Sequence, residues 1–257
     1  MYLIDYNSYR SVKSFNRRIR FLVMHYTAED FKASTVRLTG SEVSTHYLVP
    51  DPSEKTYIDA GFKGMRIFNL VDESERAWHA GASEWAERSN LNDTSIGIEI
   101  VNLATEINET FTFPRYNPTQ IDAVKELAVN ILQRYPDIAP TNVVGHSDIA
   151  PGRKSDPGAA FPWEELYAAG IGAWYDDVSK ETYQDMFSMA LPAKADIIAK
   201  LSLYGYDTSG ASTDNGYKNL IRAFQLHFRQ KNYDGVLDAE TAAVLYALVK
   251  KYFPSIS

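Results

Sequence analysis

The stretch that most constrains this chain is Val143-Val144-Gly145-His146-Ser147-Asp148-Ile149-Ala150-Pro151-Gly152-Arg153-Lys154-Ser155-Asp156-Pro157-Gly158. It begins as a short apolar strand and becomes a polar loop carrying a histidine, a lysine and an aspartate. Proline fixes φ and glycine enters turns closed to other residues, so a loop rich in both holds its side chains in set positions. His146 and Asp156 stand ten residues apart across this loop and cannot share one helix face. A metal site using both must therefore come from loop geometry. The alternative is a surface turn with a capping Asp and a solvated Lys.

A second apolar stretch, Ile19-Arg20-Phe21-Leu22-Val23-Met24, ends the same way, in His25-Tyr26-Thr27. Such a run suits a central strand, and functional residues gather at the C-terminal ends of strands in open α/β sheets. Thr45–Val49, Met65–Val71 and Ser95–Val101 are further strand candidates. In the last, Ile96, Ile98 and Ile100 share one face, and Gly97, Glu99 and Val101 the other. A carboxylate amid so much Ile and Val is costly to bury unless it is stabilised or keeps a proton. The competing reading of Glu99 is an edge-strand residue facing water.

Residues 118–135 carry the clearest helical stripe, Ile121, Val124, Leu127, Ile131 and Leu132, with Pro118 in the first turn. The segment before Gly40 and residues from Phe161 to about 169 predict shorter helices, residues 51–64 a loop and residues 1–18 a polar lead-in. Strands interleaved with helices make this an α/β region. After a junction at 171–177, three stripes follow: Ile197, Ile198, Leu201 and Tyr204; Tyr217, Leu220, Ile221, Phe224 and Phe228; and Val244, Leu245, Leu248, Val249 and Tyr252. They predict a small all-α C-terminal bundle with its own core. The expected division is a catalytic domain over 1–175 and a helical domain over 176–257.

Composition removes several chemistries. A net charge of -7 argues against a nucleic-acid or anionic-membrane surface, and without cysteine there is neither a disulfide nor a thiolate. No apolar run approaches the length of a membrane span, and Met1–Asp5 lacks the opening of a secretion signal. No Gly-x-Ser-x-Gly elbow, His-Glu-x-x-His helix or phosphate-binding glycine loop is present. Of the histidines His25, His46, His79, His146 and His227, two end apolar strands, and Asp156 follows one of these closely. Two neutral imidazoles and a carboxylate suit Zn²⁺, with a fourth position left for water. Glu99 is the candidate to take that water's proton, and Lys154 to neutralise an oxyanion. His227 reads as a plain surface or interdomain residue.

Five segments in order then resemble one family. They are Phe21–Thr27, Ser44–Val49, Ala77-Trp78-His79-Ala80-Gly81, Asn92–Glu99, and Gly145–Pro151 continuing to Lys154–Gly158. Over about 19–170 the chain closely resembles the zinc-dependent N-acetylmuramoyl-L-alanine amidases, the type-2 amidase fold shared with peptidoglycan recognition proteins. The resemblance implies a mixed central sheet flanked by helices and one zinc on His25, His146 and Asp156. It also implies Glu99 as general base and Lys154 as transition-state stabiliser. The reaction implied is cleavage of the amide between N-acetylmuramic acid and L-Ala of the stem peptide, in peptidoglycan or in muropeptides, anhydro forms included. His46, Trp78 and His79 are expected to line the substrate groove.

Leu203-Tyr204-Gly205-Tyr206, Ala223-Phe224-Gln225 and Asp234-Gly235 with Asp238 and Thr241 resemble the small helical peptidoglycan-binding module. That layout is similar to amidases acting in the periplasm or cell envelope; without a visible signal, the cytoplasm is the alternative. Two rival functions remain open at this point, a non-catalytic peptidoglycan receptor and a zinc peptidase cutting inside the stem.

Overall fold

Apolar strands that end in polar residues dictate the centre of the molecule. A computed structural model describes residues 2–13, 17–108 and 110–254; Met1 and residues 14–16 of the expected lead-in lie outside the described residues. Strand β1 (Phe21–Tyr26) lies between β6 (Ser95–Ile100) and β9 (Val143–Gly145), parallel to both. β2 (Tyr47–Val49) pairs parallel with β6, and β3 (Phe68–Asn69) closes the far edge antiparallel. The order β3-β2-β6-β1-β9 is the mixed sheet expected, with β9 on an edge.

The strands are shorter than their apolar runs suggest. Before Tyr47, side chains replace the ladder: the Thr45 hydroxyl donates to the Gly97 carbonyl, and His46 Nδ1 accepts from the Gly97 N–H. The expected strand 65–71 contracts to the two residues of β3. Within the expected loop at 51–64, Glu54 caps a one-turn helix α2 (Lys55–Asp59) by accepting from the Thr56 N–H, after α1 (Phe31–Leu38). Two small hairpins are additions, β4 (Glu84–Trp85) with β5 (Arg88–Ser89) and β7 (Thr105–Ile107) with β8 (Thr110–Thr112).

Helix α3 (Pro118–Arg134) lays its stripe on the core that also holds Met24, Ile98 and Ile100. Its buried Gln120 donates to the Val49 and Val101 carbonyls, tying the ends of β2 and β6 together. After β9, the chain makes a single turn, α4 (His146–Ile149), where a loop was expected, and then α5 (Trp163–Ala168).

Among the described residues after the junction there are four α-helices, not three: α6 (Asp177–Met189), α7 (Lys194–Tyr204), α8 (Asp214–Phe228) and α9 (Ala239–Tyr252). α6 buries only Phe187, too little for a visible stripe, yet Asp176 caps it and Phe187 and Tyr183 pack on Tyr246 of α9. The expected separate core is corrected. Trp85, Ile149 and Trp163 share one apolar cluster with Leu201, Phe224 and Leu248, because Trp85 sits edge-on to Tyr204 and Tyr206. Among the described residues no helix is long and apolar enough to cross a membrane.

Candidate metal centre

The parallel register brings the chemistry together. His25 is paired directly with Glu99, so the two side chains rise from the same face of adjacent strands. β9 on the other side of β1 delivers His146 as the first residue of α4. The loop then returns Asp156. His25 Nδ1 and His146 Nδ1 stand 3.0 Å apart, with Asp156 Oδ2 2.9 Å from the first and 3.0 Å from the second. All three residues are buried.

Hydrogen-bond bookkeeping fixes the tautomers. The Ser95 hydroxyl donates to the Leu91 carbonyl at 2.6 Å, so it can only accept from His79 Nε2–H, 3.1 Å away. His79 Nδ1 is then an acceptor, and His25 Nε2–H donates to it over 3.0 Å. His146 Nε2–H donates to the Ala80 carbonyl at 3.0 Å. Each ligand histidine therefore presents a bare Nδ1 lone pair to a carboxylate and to the other lone pair. Three acceptors facing one another repel unless a cation joins them. Ligand atoms about 2.0–2.1 Å from a tetrahedral ion stand roughly 3.3 Å apart, close to the spacing found. The donor set fits a zinc-like ion, and the chain's His-His-Asp triad is a metal-binding site.

The charges agree with this. Burial, reinforced by His146, lowers the His25 imidazole to about 4, so the ring is neutral near pH 7. Burial pushes Glu99 well above its ordinary value, with the Asp156 charge adding to it and Lys154 and Arg37 opposing. Glu99 Oε2 is buried with no hydrogen-bond partner in the protein. Such a carboxylate is a stronger base than an exposed one.

His146 and Asp156 open on a cleft of about 180 Å³, whose lining also includes Tyr26, Arg37, Trp78, Glu99 and Lys154. Lys154 and Asp156 are two apart, and Ser155 between them is clasped. Its hydroxyl accepts from Tyr26 at 2.7 Å and donates to Glu106 at 3.2 Å. Trp78 is 58% exposed at the cleft, with the Arg76 guanidinium over its ring. His79 borders the cleft but is buried, with both ring nitrogens engaged, which makes it the support behind His25 rather than an open groove contact. The groove role expected for His46 is corrected. It is fully buried, and its nitrogens are taken by the Gly97 N–H and the Glu75 carbonyl.

Several supporting residues were not singled out from sequence. The Asn92 side-chain oxygen accepts from the backbone N–H groups of His79 and Ala80. Arg153 donates to the Ala80 and Ala82 carbonyls. Together they hold the short segment that touches both ligand histidines. His227, expected at a surface or between domains, is buried and lies between the two halves, donating from Nδ1 to Asp148 at 2.7 Å.

A His-His-carboxylate centre at the C-terminal edge of a mixed sheet, beside a raised-pKa carboxylate and a lysine, defines a metal-dependent hydrolase. A family model described as N-acetylmuramoyl-L-alanine amidase matches residues 15–159, more than half the chain. The chain belongs to the N-acetylmuramoyl-L-alanine amidases. It is 44% identical to N-acetylmuramoyl-L-alanine amidase AmiD of Escherichia coli over 91% of this chain and 84% of that one. The crystal structure of AmpDh3 from Pseudomonas aeruginosa is 60% identical, covers 98% of this chain and 99% of its own, and has a TM-score of 0.95. AmpDh3 with anhydromuramic pentapeptide matches equally. AmiD with anhydro-N-acetylmuramic acid-L-Ala-D-gamma-Glu-L-Lys is 42% identical over 97% of each chain, with a TM-score of 0.84.

Proposed function

We propose that this amidase works as a zinc enzyme, with one Zn²⁺ on His25, His146 and Asp156, Glu99 as general base and Lys154 as oxyanion stabiliser. The observation that carries the reading is the meeting of three acceptor atoms within 3.0 Å. A zinc ion held there supplies Lewis acidity and lowers the pKa of a bound water. Glu99, raised and unpartnered, accepts the proton that water releases as its oxygen adds to the carbonyl carbon. The same carboxyl returns the proton to the L-Ala nitrogen as the C–N bond breaks. The products are the lactyl carboxylate and a free peptide amine. Lys154 opposes the negative charge that grows on the carbonyl oxygen.

Trp78 offers a flat exposed face at the cleft, suited to a sugar ring or to peptide. The complexes of AmpDh3 and AmiD support anhydro-muropeptides as substrates. The likeness of the C-terminal helices to a peptidoglycan-binding module supports contact with polymeric wall, with 1–175 as the catalytic part and 176–257 as that module. This layout favours the periplasm or cell envelope as the place of action. Digestion of purified sacculi and of anhydro-muropeptides, with new ends identified by mass spectrometry, tests the reading. Free lactyl groups and L-Ala amines are expected. Cuts within the stem would indicate a peptidase, and binding without new ends a receptor.

A further inference from the structure

α4 is a single turn, far shorter than a helix that stands alone in water. It begins at the end of an edge strand, carries one ligand and is bonded to the backbone of a second. His146 is its first residue, and the Ser147 N–H donates to the Asp156 carbonyl at 2.8 Å. The contact is close elsewhere too. A Cβ on Gly145 would meet Pro157 at 2.7 Å, so only glycine lets the segment after Asp156 close on the strand end. Whatever holds this turn bears on two of the three ligands.

The turn is held from one point. Asp148 is fully buried, and its carboxylate accepts three hydrogen bonds. The first comes from the Gly145 N–H at 2.7 Å, within the turn itself. The others come from the C-terminal helical region, the Tyr206 hydroxyl at 2.6 Å and His227 Nδ1 at 2.7 Å. Both donors are fixed in place. The His227 ring lies flat between Trp163 and Phe228, with both ring centroids 3.8 Å away. Tyr206 packs against Trp85 with centroids 4.6 Å apart. Burial, with Asp148 adding, pushes the Tyr206 phenol well above its ordinary value, so it remains a donor throughout the working pH range.

We propose that Tyr206 and His227 are positioning residues for the metal centre, acting through Asp148 on the turn that sets His146 and Asp156. The helical region is thus part of the metal-site scaffold, whatever it also does toward the wall. Outer groups that orient metal ligands typically matter by about 10–100-fold in metal affinity. This inference rests on the metal-site reading above.

The test is Zn²⁺ affinity of the full chain by competition with a chromophoric chelator, at a temperature where near-UV circular dichroism shows every variant folded. Tyr206→Phe combined with His227→Phe, which keeps the ring stack but removes both donors, should weaken Zn²⁺ binding by about 10–100-fold. His227→Gln, with an amide donor, should bind more tightly than His227→Phe. At saturating Zn²⁺, KM should match the parent. Phe187→Ala loosens the packing of α6 on α9, away from Asp148, Tyr206 and His227, and should lower the melting temperature while leaving Zn²⁺ affinity unchanged. Should the double variant fail to fold, Tyr206→Phe alone removes a single hydroxyl and carries the same test at smaller amplitude. Parent-like affinity in the donor variants, or an equal loss in Phe187→Ala, overturns the proposal. A parent chain that takes up no Zn²⁺ would instead refute the metal-site reading, and this inference with it.

Discussion

His25 and His146 offer the same atom to the same site from neighbouring parallel strands, yet they are held by different parts of the molecule. His25 lies within β1, paired on both sides by β6 and β9, and its ring is backed by His79 and Ser95. Every one of these supports lies within the α/β region. His146 stands just past an edge strand, on one turn anchored by Asp148 to Tyr206 and His227, 58 and 79 residues further along the chain than Asp148. A central strand supplies rigidity through its own ladder, whereas a residue at a sheet edge must borrow it. The two ligands both face Asp156 and share the segment His79–Ala80, which fixes both tautomers.

The comparison breaks first at the ligands. His25→Ala and His146→Ala should each remove metal and turnover together while preserving helical circular dichroism, since a three-ligand site does not survive on two. Full zinc occupancy in either variant would reject that ligand. Next come the groups that act on the substrate rather than on the ion. Glu99→Gln should retain metal and lose turnover by about 10²–10⁴-fold. Lys154→Ala should lower kcat by about 10²–10³-fold and change KM far less. Variants within a few-fold of the parent would leave Glu99 a passive buried acid and Lys154 a solvated surface charge.

Acidification of the metal-free protein probes the His25 side. A histidine held neutral by burial contributes stability above its unfolded pKa, and that contribution is lost as pH falls toward the folded value. For His25, lowered from 6.5 to about 4, the loss is about 3 kcal/mol. His79, lowered further still by burial and its histidine neighbours, acts in the same direction. Urea melts of metal-free protein should therefore show stability falling from pH 6.5 to 4. A flat profile would contradict buried neutral imidazoles.

The smallest expected effect separates the two supports. His79→Phe should weaken metal binding by about 10–100-fold through His25 alone. Combined with Tyr206→Phe, the two losses should multiply if the ligands are supported independently. Chelator competition on the double variant gives the answer. A combined loss well short of the product would mean that the two supports act as one.

Much of the site was legible because its residues sit where local pattern is strongest. β1, β6 and α3 follow from apolar runs and a helical stripe, and His25, Glu99 and His146 are attached to those strands. Register was not legible. That Glu99 stands beside His25 rather than facing water depends on which strands pair, and no local pattern encodes the pairing. The hairpin β7–β8 escaped notice because its strands are largely polar and exposed, and α6 because it buries one aromatic ring. Beside the family motifs His46 and His79 read as groove residues, but their positions depend on the Gly97 backbone. His46 bonds to it, and a Cβ there would strike the His79 ring at 2.5 Å.

By itself the sequence determined the ligand types, the rigid loop that carries two of them, the α/β character of the first part and the helices of the second. These depend on residue chemistry and on periodicities that a strand or helix expresses over its own length. Only the tertiary structure decided that the helices reach back to the metal centre. Asp148, Tyr206 and His227 are individually ordinary residues. They become a unit only when burial removes water and leaves one carboxylate to satisfy two donors from the far end of the chain.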